Sequence, residues 1–100
     1  MLNPAEGDPL QDPGNTTVSW DPVSAVNGSP IIAYQVIVEY ETEVTALPKV
    51  TLDVMMSANA TSMKIPVGFL KFDTEYEWEV LAIEASGNQT LSSDFLQTIP

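Results

Sequence analysis

The chain has 100 residues, with no cysteine, no histidine and no arginine, and its 14 acidic residues against 3 lysines give a formal net charge of −11. That length fits one domain with a single core. The missing residue types remove the usual general base, the thiol nucleophile, disulfides and the commonest metal ligand, so neither an enzyme nor a cofactor-binding protein is expected. Three lysines are too few to neutralise a phosphate backbone, which argues against nucleic acid as a partner. No apolar run approaches the roughly 20 residues of a membrane-spanning helix, so membrane insertion is not expected.

Residues 1–15 carry Pro4, Pro9 and Pro13 among Gly, Asp and Asn. These deny a regular ladder, so an irregular segment with at most one short strand is expected there, with Leu10 as its obvious apolar anchor. Met1-Leu2-Asn3-Pro4 has neither the basic nor the apolar region of a signal peptide, and both ends read as cuts at domain boundaries. From Thr16 the texture changes to alternation, with Val18 and Trp20 on one side and Thr17, Ser19 and Asp21 on the other. Asp21-Pro22 and Asn27-Gly28-Ser29-Pro30 then mark a stop and a turn.

The next run is the clearest. Tyr34, Val36, Val38 and Tyr40 share one face, while Gln35, Ile37, Glu39 and Glu41 share the other, which predicts a half-buried strand. After Leu47-Pro48, Val50, Leu52, Val54 and Met56 alternate with Thr51, Asp53 and Met55. Met63 and Ile65 make a short strand closed by Pro66 and Gly68. Tyr76, Trp78, Val80 and Ala82 alternate with Glu77, Glu79, Leu81 and Ile83, and Ser86-Gly87-Asn88 reads as a hairpin turn. A last strand runs from Leu91 to Ile99, with its inward phase ambiguous at Phe95-Leu96. No window keeps helical periodicity, so six or seven short strands over residues 16–100 predict an all-β domain, either a two-sheet antiparallel sandwich or a small barrel.

Val18-Ser19-Trp20-Asp21-Pro22 resembles the second-strand signature of fibronectin type III domains. Gly28-Ser29-Pro30-Ile31 with Tyr34-Gln35-Val36 resembles the turn and third strand of that family. Leu70-Lys71-Phe72-Asp73-Thr74-Glu75-Tyr76 resembles the stretch before its sixth strand, with Phe72 where the family usually has proline. The resemblance covers residues 16–99. It implies a seven-stranded, immunoglobulin-like sandwich with Val18, Trp20, Tyr34, Val36, Val38, Leu70, Tyr76, Trp78, Val80 and Ala82 in the core. It also implies that the Tyr76 hydroxyl hydrogen-bonds the backbone of the preceding connection. Pro66-Val67-Gly68-Phe69 is longer than the family pattern, so a bulge or bent corner is expected there.

The acids concentrate on one outward face. In the family register Glu39 stands opposite Glu77 and Glu41 near Glu75, where like charges across a ladder are destabilising. Glu39, Glu41, Glu75, Glu77 and Glu79 are therefore candidates for a weak cation site or for a basic protein partner, against the plainer reading of a solvated face. Ile37, Leu81 and Ile83 fall beside them and with Glu39, Glu77 and Glu79 form a candidate contact patch. Asn15, Asn27, Asn59 and Asn88 stand in Asn-x-Ser/Thr triplets, which in a glycosylating host accept glycans.

The resemblance implies extracellular or cell-surface residence and a role as spacer or interaction module, with neighbouring domains of the same chain as partners. The alternatives are a protein-binding module using the acidic face and an accessory carbohydrate-binding domain of a secreted hydrolase.

Overall fold

A computed structural model describes residues 2–23, 29–40 and 50–100; of Tyr40 and Val50 only the backbone is described. Seven strands follow in chain order: β1 (Leu2–Asn3), β2 (Thr17–Trp20), β3 (Ile31–Tyr40), β4 (Val50–Ser57), β5 (Ser62–Lys64), β6 (Glu75–Glu84) and β7 (Gln89–Gln97). They form a three-stranded sheet of order β1-β2-β5 and a four-stranded sheet of order β4-β3-β6-β7, antiparallel throughout. No helix is long and apolar enough to cross a membrane among the described residues.

Alternation decides which face of each strand is buried. On β3, Tyr34, Val36 and Val38 point inward; on β6, Tyr76, Trp78, Val80 and Ala82 do so, and Val18 and Trp20 meet them from β2. Leu70 closes one end of this core, and all ten of these residues are buried. Burying each large apolar side chain contributes roughly 1.5–3 kcal/mol before entropy is charged. The Trp20 and Tyr34 rings meet at 5.6 Å. On β7 the neighbour pairing resolves the phase, since Leu96 lies across from buried Tyr76 and is itself buried, while Phe95 faces out.

The first strand is not where its apolar anchor was expected. It is Leu2–Asn3, with Leu2 paired across from Trp20, whereas Leu10 is 49% exposed. The reason is the prolines: Pro4 and Pro9 offer no N–H, so no ladder reaches Leu10. Beyond the strand, the segment crosses to the larger sheet. Trp78 Nε1 donates to Pro4 O at 2.9 Å, Glu6 N donates to Asp94 Oδ1 at 2.7 Å, and Gln11 makes an isolated parallel bridge to Thr98.

The corner expected at Pro66–Phe69 is a hydrogen-bonded turn rather than a bulge. Phe69 N donates to Pro66 O at 3.2 Å, and Gly68 sits at φ 96°, a conformation glycine tolerates. The irregularity in the described ladders lies instead between Ile31 and Ala33.

The connection into β6 is clamped twice. Lys71 N donates to Tyr76 Oη at 2.7 Å. Thr98, fully buried, accepts from Thr74 N at 2.9 Å and donates to Lys71 O at 2.6 Å. Losing a hydrogen bond of this partly buried kind costs about 0.5–1.5 kcal/mol. Tyr76→Phe and Thr98→Val are each expected to lower unfolding free energy by about that much, read as a lower urea midpoint at unchanged slope.

Candidate functional site

The four-stranded sheet has one face on the core and one face outside, and the outer face is organised in two zones. In the first, Glu39 on β3 lies directly across from Glu77 on β6, and Ile37 across from Glu79. Carboxylate oxygens of Glu39, Glu77 and Glu79 approach within 4.8 Å of one another, and all three residues are half-buried. Glu75 stands apart from this trio, exposed at the strand start and paired with Gln97. Glu41 falls outside the described residues.

Hard divalent cations take carboxylate oxygens, but a firm calcium site uses 6–8 oxygen ligands. Three half-buried carboxylates supply a weak site at most.

The second zone is apolar. Met55, Gln35, Leu81 and Leu91 occupy successive strands in one cross-strand row. Met55 is 59% and Leu91 57% exposed. Ile37, Leu81 and Ile83, the apolar residues legible from the alternation, are half-buried. The more exposed members are Met55 and Leu91, at the two edges of the sheet. Their signal was the same outward phase, which Met55 shares with Asp53 on β4 and Leu91 with Phe95 on β7. Gln35 Nε2 donates to Asp53 Oδ1 at 2.9 Å, fixing a polar link between β3 and β4.

Where β6 begins, the outer face opens into a cleft of about 410 Å³ lined by Asp73, Thr74, Glu75, Glu77 and Phe95. It carries three carboxylates and one aromatic ring. Phe95 is 36% exposed and pairs across from Glu77. Sequence alternation left Phe95 unassigned because apolar Leu96 follows it.

A second cleft, of about 390 Å³, lies between the sheets against Leu2, Trp20, Val80, Ser92 and Asp94. Trp20 is buried there, and its Nε1 is the buried side-chain donor among the described residues that has no partner. The large aromatics Trp20, Trp78, Tyr34 and Tyr76 are all core residues, so none offers an open ring to a sugar. The exposed aromatics among the described residues are Phe72, in the β5–β6 connection, and Phe95. Asn15, Asn59 and Asn88 are exposed, while Asn27 falls outside the described residues.

No protein-family model matches the chain, and no curated protein matches it in sequence. A solved structure described as a myokine structure aligns with all of this chain and 92% of its own, at TM-score 0.64 and 18% identity. The fold is a fibronectin type III-like sandwich. At that identity the likeness speaks to the fold and no further.

Like charges paired directly across a ladder are destabilising by roughly 0.2–1 kcal/mol. Glu39→Gln or Glu77→Gln is therefore expected to raise unfolding free energy by about that amount at low salt. The gain should shrink towards zero in molar salt, where the Debye length falls to about 3 Å. Urea melts at the two salt concentrations read both effects.

Proposed function

We propose that the chain is a non-catalytic module of a larger extracellular or cell-surface protein, serving as a spacer that also offers a contact face. The observation that carries this reading is the outer face of the four-stranded sheet, where an exposed apolar row adjoins an acidic zone. The residue inventory argues the same way, because it holds no histidine, cysteine or arginine for catalysis. Membership of the fibronectin type III family belongs to this proposal, on the Trp20 strand and the Tyr76 corner. Neighbouring domains of the parent chain are its first partners. An accessory carbohydrate-binding role is the weaker alternative, since sugar sites present open aromatic rings and the tryptophans here are buried.

Two measurements test it. An antibody against the chain is expected to stain intact producing cells or their medium; signal only after permeabilisation overturns the location. Replacing the module in its parent by an unrelated sandwich of equal length is expected to preserve domain spacing by small-angle scattering but to lose partner engagement. Unchanged engagement leaves a pure spacer.

A second reading has its own observation, the convergence of Glu39, Glu77 and Glu79. These carboxylates would hold Ca²⁺ or Mg²⁺ weakly. Titration of either cation is then expected to shift backbone amide signals of the residues around this trio on β3 and β6. Shifts scattered over the whole surface, or none, reject a localised cation site.

A further inference from the structure

We propose that the outer face of the four-stranded sheet docks an extended protein segment that sets an arginine or lysine four residues from a bulky apolar side chain. The cationic side chain enters the cleft at Glu77 and Phe95, and the apolar one lies on Leu81 and Leu91. This rests on the contact-face half of the function proposed above. The module swap there reads the parent protein and the binding assay here reads the chain itself, so each fails separately.

The cleft defines the first anchor. Three carboxylates line it together with a partly exposed phenyl ring. A guanidinium or ammonium satisfies both: it pairs with carboxylate oxygens and is attracted to the ring face. An anionic group is repelled by the carboxylates, and a neutral donor can hydrogen-bond them but leaves their charge unbalanced.

The apolar row defines the second anchor. Leu91 lies across from Leu81, and Met55 continues the row beyond Gln35. Single exposed apolar residues are ordinary, but Leu81 and Leu91 side by side make a continuous apolar surface that removal from water favours. Leu91 and Phe95 share the outward face of β7 four residues apart, which at about 3.3 Å per residue separates the anchors by about 13 Å. An extended partner segment covers that span with residues i and i+4, both pointing the same way.

Charge chooses the occupant. The outer-face charges described are all acidic: Asp53, Glu39, Glu75, Glu77 and Glu79. A second copy of the chain would bring another net charge of −11 and the same glutamates to the contact, so self-pairing through this face is opposed. A basic partner gains from the field in both approach and register.

The probe is a short blocked Thr/Val peptide carrying one arginine and one leucine four residues apart, titrated into the chain and followed by backbone amide shifts. Shifts are expected on β6 and β7 between Glu77 and Leu81 and between Leu91 and Phe95. Affinity should fall at least fivefold for Glu77→Gln, for Leu91→Ser, and for the parent chain in half-molar salt. A peptide with glutamate for arginine should not shift these signals, and one with the leucine two residues nearer should bind at least fivefold more weakly. Leu91 is largely exposed, so Leu91→Ser should melt within a few degrees of the parent, which keeps the comparison valid if Glu77→Gln alters stability. The proposal is overturned if the shifts map elsewhere, if Leu91→Ser binds like the parent, or if the two spacings bind alike. It is equally overturned if the chain dimerises through this face in sedimentation before any peptide binds.

Discussion

The pairing of β3 with β6 is the constraint from which the rest of the molecule follows. Tyr34 lies across from Ala82, Val36 from Val80 and Val38 from Trp78, and every one of these residues is buried. The side-chain period of a strand is two, so a slip of one residue would turn one strand's inward set to water and carry its own glutamates, Glu39 on β3 or Glu77 and Glu79 on β6, into the core. Burying carboxylates without partners costs far more than any turn geometry could repay. The register is thus set by the inward apolar residues and reinforced by the cost of burying the outward carboxylates. Its consequence on the outside is that Glu39 must face Glu77. Nothing in the packing demands acids there, because a lysine or threonine at either position would leave the inward stripe untouched.

Trp78 carries a second dependency. Its ring is fully buried and its Nε1 reaches Pro4 O, so the N-terminal segment is held against the strand that anchors the core. Together with the bridge from Gln11 to Thr98, this pulls residues 4–11 away from the smaller sheet and leaves β1 two residues long. The smaller sheet therefore does not extend over the start of β7. That explains why the inward phase of β7 reads Thr90, Ser92 and Asp94 before it reaches buried Leu96, and why an open cleft lies between Trp20 and Ser92. A short first strand and a half-polar last strand are one arrangement seen from two ends.

What could be read from the sequence was whatever period two controls. The inward sets of β3 and β6, the turn at Gly87, and the facing of Glu39 and Glu77 all follow from alternation plus the family register. What could not be read depends on contacts distant in sequence. Leu2 is a strand residue because Trp20 is beside it, not because of its neighbours in the chain. Thr98 looks like an ordinary polar residue near the end, yet it is buried because the clamp on Lys71 and Thr74 closes around its hydroxyl. Phe95 and Leu96 are adjacent and both apolar, so only the pairing of Tyr76 with Leu96 sends the phenyl ring outward.

The two outer faces of the sandwich differ in a way that folding does not require. On the smaller sheet, Thr17 pairs with Lys64 and Ser19 with Ser62, an ordinary polar surface with a cation on it. On the larger sheet the exposed strands carry acids at one end and Met55, Leu81 and Leu91 at the other. Both features are costs to the free molecule, one through like-charge repulsion and one through hydrated apolar surface. Salt relieves the first and leaves the second. The proposed docking of a basic segment would use both zones: apolar contact to hold it, and charge of one sign beside that contact to set its orientation.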